Sequence, residues 1–358
     1  MAVLELPRSI RLDGSQDVGA ALTEYSTTVT QRDVVVIPPG SQLRADTPVD
    51  WSHLWNANVQ ASGSLLFSTT RPDQRARPNL ILGGGGCTIA DLTVDARNPR
   101  GGDWTDKTAG EVEASHAIVV AGAQGLTLSN VHGLNAWADG LALRRVDVPD
   151  TARAADPMAG WSRNVHTIGC RFDKPGRQAV SGTGAYCTLM EGGYVGHAAR
   201  SNVDLEPLSR PAGTLSATDP GAEGHNGVVG WTMSRVRFGP GRLGAFTAVG
   251  SGQVDQVALL DCPFDRTMRI VAGDAYGRPR HGFEVRRCTS STPDGRASGA
   301  SIELTGYTGA AVTDCDVVVE ADPPMVLALF TDCTKPVAGR NRVVDELGRA
   351  RPQSRTVG

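Results

Sequence analysis

The sequence predicts an all-β chain wound as a parallel β-helix, a solenoid of short stacked strands with a small helix over its N-terminal end. Three observations carry that expectation. A short phrase recurs: an apolar or small residue, two variable positions, an anchor, one variable position, and often Phe or Val. It reads Ile89–Leu92–Val94, Leu128–Val131, Thr167–Cys170–Phe172, Met233–Val236–Phe238, Leu259–Cys262–Phe264, Val285–Cys288 and Val312–Cys315–Val317. The anchors are regularly spaced, 39 residues from 92 to 131 and again to 170, then 26, 26 and 27 from 236 through 262 and 288 to 315. A unit this short cannot bury its own apolar face, so successive units must stack. The alternation that closes each phrase has the period of a strand rather than of a helix. A leucine-rich repeat would need a Leu-rich consensus and a recurrent Asn, and neither is present.

From the N-terminus, Val18, Leu22 and Tyr25 fall at i, i+4 and i+7, which predicts a short amphipathic helix over Asp17 to Tyr25. Asp33 to Gly40 reads as a buried strand, Val34-Val35-Val36-Ile37, stopped by Pro38-Pro39-Gly40. Residues 1–45 form the expected cap and first strand, with Trp51 and Trp55 packing against the cap. The solenoid is expected over 46–333. A second strand follows most anchors, at Leu141, Val180, Phe246 and Ile270, and Cys187 to Val195 reads as a degraded repeat centred near Gly193, with Leu205 twelve residues later. The 39-residue intervals are expected to be single coils carrying a loop. From 334 the periodicity lapses and Arg, Pro and Gly accumulate, so 334–358 is expected as a basic tail, frayed or docked on an acidic partner.

Composition narrows the function classes. The net charge of −3 argues against nucleic acid as a partner, and only three of the 35 basic residues are Lys. No apolar stretch approaches a membrane span, and Met1 to Gly14 lacks a basic region followed by an apolar core, so the chain is expected to be made in the cytoplasm without a signal peptide. The seven Cys include Cys170, Cys262, Cys288, Cys315 and Cys333 at or near anchors. They are expected as small buried hydrophobes in one inward stack, because no C-x-x-C pair suggests a metal. No metal or cofactor is expected.

Long interruptions at Arg97 to Ala114, Asp147 to Gly160 and Leu208 to Gly224 break the pattern. The last two leave from the same corner, and the coil between them turns on Ser181-Gly182-Thr183-Gly184 alone, which predicts a groove with a low floor. Asn202-Val203-Asp204-Leu205-Glu206-Pro207 lies on that floor. With Leu205 inward beside Leu141 and Val180, Asp204 and Glu206 both face outward, their carboxyls about 6.5 to 7 Å apart. That separation suits an inverting glycosidase, in which one carboxyl protonates the leaving oxygen and the other activates water. Asp139 is a further catalytic or ligand candidate, although Asp139-Gly140 is first a turn signal. His197 and Arg200 precede the acidic pair and are candidates to line the groove, with Ser181 on its floor. Trp104 and Trp161 are the aromatics available for sugar stacking. Gly239 to Gly244 and Gly83 to Gly86 read as turns, since no helix N-terminus follows either.

The opening of helix, strand and Pro-Gly turn resembles pectate-lyase-like β-helix proteins, in which such a helix plugs the N-terminal end. Arg177-Gln178-Ala179-Val180-Ser181, followed by Val203-Asp204-Leu205-Glu206-Pro207, resembles a pattern in right-handed β-helix repeat proteins, usually Arg-x-Gly-Ile and then Gly-Ile-Asp-x-Glu-Pro. Ala179 and Val203 depart from it, so only Arg177, Asp204 and Glu206 are carried over. The structural alternative is an ion pair from Arg177 to Asp204 or Glu206 that holds one corner. Gly224-His225-Asn226-Gly227 is similar to the Gly-His-Gly of polygalacturonases, without the paired Asp and Arg-x-Lys that accompany it there. Proteins with the resembled pattern occur among bacterial polysaccharide-acting enzymes and in bacteriophage tail fibres and spikes. The resemblance implies a tail component, often a homotrimer docked on other tail proteins of a virion, that binds and in a catalytic version cleaves cell-surface polysaccharide. A free extracellular polysaccharide hydrolase or lyase and a purely structural tail protein are the alternatives.

Overall fold

The computed structural model describes residues 2–69, 78–102, 115–156, 158–207, 227–248, 252–266, 268–273, 280–291, 300–319 and 325–357. Each complete coil has three limbs. One runs Ser162–Ile168, Arg171–Asp173 and Val180–Gly182, and the next runs Ala185–Glu191, Tyr194–Gly196 and Ser201–Leu205. First and second limbs fall in one sheet of 22 strands, and third limbs in another of 11. Pairing is parallel from coil to coil, as where Leu128 sits opposite both Ile89 and Thr167. Each 39-residue interval is therefore one coil with a loop. The repeat read as degraded, Cys187 to Val195, spans the first and second limbs of a complete coil.

The anchors follow a corner. The residue before each anchor turns the chain from the first limb to the second in the left-handed region: Asp91 at φ 58°, Asn130 at 51°, Gly169 at 62°, Arg235 and Asp261 at 55°, Arg287 at 51° and Asp314 at 57°. Asp, Asn and Gly reach this region at low cost, whereas Arg is strained there. The arginines are matched along the stack. Asn130 Nδ2 donates to Asp91 at 2.8 Å, Arg287 forks onto Asp261 at 2.6 and 2.7 Å, and Arg340 forks onto Asp314 at the same distances.

Behind the corner the anchors stack inward. The buried thiols of Cys170, Cys262 and Cys288 each point at a carbonyl of the preceding coil, on Leu128, Met233 and Leu259, at 3.3, 3.5 and 3.4 Å. Cys333 is not in this row, because it follows a third limb, Val326–Thr331, and points at Leu304 O. Two positions past the anchor, Phe238 and Phe264 stack with ring centroids 4.5 Å apart and planes 11° apart.

The predicted helix spans Gly19–Ser26 and lies against Val49–Trp51, the end strand of the 11-stranded sheet. It stands where the first coil would need a third limb, covering an edge that would otherwise expose unpaired backbone. Leu22, on the inner side of the helix, is fully buried, and Trp51 Nε1 donates to Leu22 O at 3.4 Å. A Cβ on Gly19 would lie 1.9 Å from Thr47 O, which explains the glycine. Trp51 is buried as expected, but Trp55 is half exposed and lies over Gly85 instead.

The C-terminal residues expected as a frayed or docked tail form another coil, Val337–Gly339, Arg342–Asp345 and Ser354–Val357, paired with the coil before it. Asn341 takes the anchor place, its amide donating to Val312 O at 2.9 Å while its oxygen accepts from the Cys315 N–H at 2.8 Å. The arginines there serve the fold, with Arg349 and Arg351 both on Asp345.

Because Phe238 is fully buried and stacked between coils, Phe238→Ala is expected to cost about 3–5 kcal/mol of stability by denaturant unfolding. A loss under about 1 kcal/mol would mean that the inward ladder is not what holds neighbouring coils together.

Candidate functional site

The third limbs align Ile118, Leu141, Val180, Val203 and Phe246 as one inward row. Val203, not Leu205, therefore stands beside Leu141 and Val180, and the expected register is corrected by two residues. The outward parity survives. Asp204 lies opposite Ser181, which lies opposite Ala142, and Glu206 follows the end of its strand with its N–H on Gly182 O at 3.0 Å. The limb Val180–Gly182 passes to the next first limb through Thr183 and Gly184 alone, so the floor between the flanking coils is low. One flanking segment carries a short helix, Asp150–Ala155; Leu208 to Gly224 lies outside the described residues, as do His225 and Asn226.

A polar cluster is built two residues ahead of the inward row, where His116, Asp139 and Gln178 occupy equivalent places on successive coils. Asp139 is 2% exposed and saturated with donors. Ser181 Oγ donates to its Oδ2 at 2.7 Å, the Gln178 N–H to its Oδ1 at 3.2 Å, and His116 Nδ1 lies 3.2 Å from Oδ2. Arg177 Nε is 3.8 Å from Oδ1, so Arg177 pairs with Asp139, and its charge also draws Asp204 downward. The Asp139 backbone N–H also donates to His116 Nδ1 at 3.2 Å, and Arg144 meets Nε2.

Burial lowers the His116 pKa against the pull of Asp139. Burial alone would raise Asp139, but His116, Arg177 and Ser181 together hold it down to about 2. Asp204 goes the other way. Burial first and the neighbouring Glu206 second push it up to about 7, against a hydrogen bond from Gln178 Nε2 to its Oδ2 at 2.9 Å. Its Oδ1 is buried with no hydrogen-bond partner. Two carboxyls linked through Gln178 thus have pKa values pushed in opposite directions, the arrangement that separates acid from base in many active sites.

The remaining candidates separate from this cluster. His197 turns to Asp173, with Nδ1 at 2.9 Å from Oδ1 and the Tyr194 hydroxyl at 3.1 Å. Arg200 lies in the turn before Ser201–Leu205, where its N–H donates to Arg177 O. Trp161 is 2% exposed and packs over Gly227, so its ring has no free face for a sugar, and that expectation is corrected. Trp104 lies outside the described residues. Sequence reasoning missed His116, Arg144 and Gln178. The signal for the last was its place two residues ahead of Val180, matching Asp139 ahead of Leu141.

No family model matches the chain, and no curated relative matches it by sequence. Solved structures of similar fold include the surface adhesin PfbA of Streptococcus pneumoniae, at TM-score 0.57 and 10% identity, covering 99% of this chain and 100% of that one. The chain is a right-handed parallel β-helix. A second similar structure is an iota-carrageenase complexed to iota-carrageenan fragments, at TM-score 0.51 and 8% identity, covering 100% of this chain and 90% of that one. Among the described residues of this β-helix, no helix is long and apolar enough to cross a membrane.

The raised Asp204 pKa has a sign that can be tested. Between about pH 4 and 7 the folded chain holds a proton that the unfolded chain has lost, so stability falls as pH rises through that window. The whole contribution is about 4 kcal/mol at most. Asp204→Asn is expected to flatten this part of the stability curve in denaturant unfolding across pH 4 to 8; parallel curves for the two proteins would contradict the assignment.

Proposed function

We propose that the third-limb face around Asp204 binds a cell-surface glycan and hydrolyses it with inversion. What carries this reading is the pairing of Asp204, pushed up to about 7 by burial and by Glu206, with Glu206 itself on a floor kept low by Ser181 and Gly182. Asp204 gives its proton to the glycosidic oxygen as the C–O bond breaks. Glu206, half-buried beyond the strand end, takes a proton from the water that attacks the anomeric carbon. Asp139 is a positioning residue in this scheme: it is too buried and too fully hydrogen-bonded to meet substrate, and it orients Ser181 and Gln178 beneath Asp204. Arg177 neutralises it.

The fold is compatible with binding without cleavage, since one similar solenoid is named an adhesin and another a carrageenase. Asp204 favours cleavage, because a binding platform has no need of a carboxyl destabilised in its charged form. Asp204→Asn and Glu206→Gln are each expected to lower release of reducing ends from a panel of bacterial surface polysaccharides about 10²–10⁴-fold, and the wild-type rate to fall as pH rises through about 7. Unchanged rates in both variants would refute the assignment.

The finer placement is a bacteriophage tail, where the protein assembles as a homotrimer with other tail proteins. The Arg177 to Pro207 pattern supports it by its resemblance to tail fibres and spikes. Light scattering of the purified protein is expected to give three chains per particle. A monomer would favour a free extracellular hydrolase.

A further inference from the structure

A second polar groove, of about 880 Å³, runs along the second limbs on a different face of the solenoid from Asp204. Its spine is a ladder in register, Arg237 on one coil, Pro263 on the next, then Thr289, Asp316 and Arg342. Four strand spacings separate its ends, about 19 Å. Asp265 holds Arg237 with an Nε–Oδ1 distance of 2.7 Å, and Asp316 holds Arg342 with an Nη1–Oδ1 distance of 2.8 Å. The groove therefore carries an ion pair at each end and no net charge from these four groups. Between the pairs Thr289 and Ser291 are exposed.

We propose that this groove binds a neutral oligosaccharide, as a site separate from the Asp204 face. A guanidinium carries five N–H donors and a carboxylate about four acceptor sites, so the exposed Asp316–Arg342 pair sets donors and acceptors side by side on the groove. A vicinal diol needs that juxtaposition, because each hydroxyl both donates and accepts. Among the described residues that line the groove, an acidic chain would meet Asp265 and Asp316 with both arginines already paired, and a basic one would meet the two arginines. The hydroxyls of Thr289 and Ser291 continue the same chemistry along the middle. Glycan as the ligand class rests on the reading in the preceding subsection; the groove itself does not.

The test is retention on an array of neutral and acidic oligosaccharides by the wild type, by the double variants Arg237→Ala/Asp265→Ala and Arg342→Ala/Asp316→Ala, by Ser291→Trp as a steric block, and by Asp204→Asn. Removing both partners of an exposed pair leaves the fold intact, which thermal unfolding checks. Neutral oligosaccharides are expected to be retained, with at least tenfold weaker retention in the three groove variants. Retention lost in Asp204→Asn but kept in the groove variants would overturn this proposal and leave the Asp204 reading standing. Retention of acidic oligosaccharides alone, or of none, would also overturn it. Groove-dependent retention together with a wild type that cleaves nothing would support this site and sink the hydrolase.

Discussion

The fixed distance between strands of neighbouring coils, about 4.8 Å, is the constraint on which the rest of the structure depends. In a parallel stack every side chain faces the residue at the same register position one coil away, so a change in one coil is felt by two others. Inward, this produces rows of like shape, such as Phe238 on Phe264 and the thiols of Cys262 and Cys288. At the left-handed corner the same spacing would set like charges against each other, and the chain alternates sign instead, Asp261 with Arg287 and then Asp314 with Arg340. The strain of an arginine at positive φ is tolerated where a bidentate partner waits on the adjacent coil.

The site is a consequence of that spacing applied to the outward side. His116, Asp139 and Gln178 meet because they occupy one register position on three coils, and Ser181 meets Asp139 from the coil after it. Stacking forces these groups out of water, and burial then divides them. Asp139 has enough donors to be held down to about 2, while Asp204, with one donor and Glu206 beside it, is pushed up to about 7. The fold thus creates two unlike carboxyls through the donors and charges that each one meets.

Much of this was legible in the sequence, because anchor spacing survives variation in loop length. The register of the acidic strand was not, since Val203 and Leu205 are both apolar and share parity, and a slip of two leaves the alternation unchanged. His116 was hidden because the long interruption from Arg97 masked the limb Ile118–Ala121 that follows it. The last coil was missed because its anchor is Asn341 rather than Cys, although it lies 26 residues past Cys315, a spacing already seen upstream. An amide can replace the thiol there because the position requires a donor to the carbonyl of the preceding coil, which Asn supplies better than Cys.

The central claim is that Asp204 titrates near neutral pH while Asp139, linked to it through Gln178, titrates far lower. A carbon-detected titration of the protein labelled at its aspartate carboxyls, with the resonance assigned by its absence in Asp204→Asn, measures this directly. The account predicts a midpoint near pH 7 for Asp204 and a carboxylate signal for Asp139 that persists down to about pH 2. A midpoint for Asp204 near the ordinary value of 3.8 would contradict it.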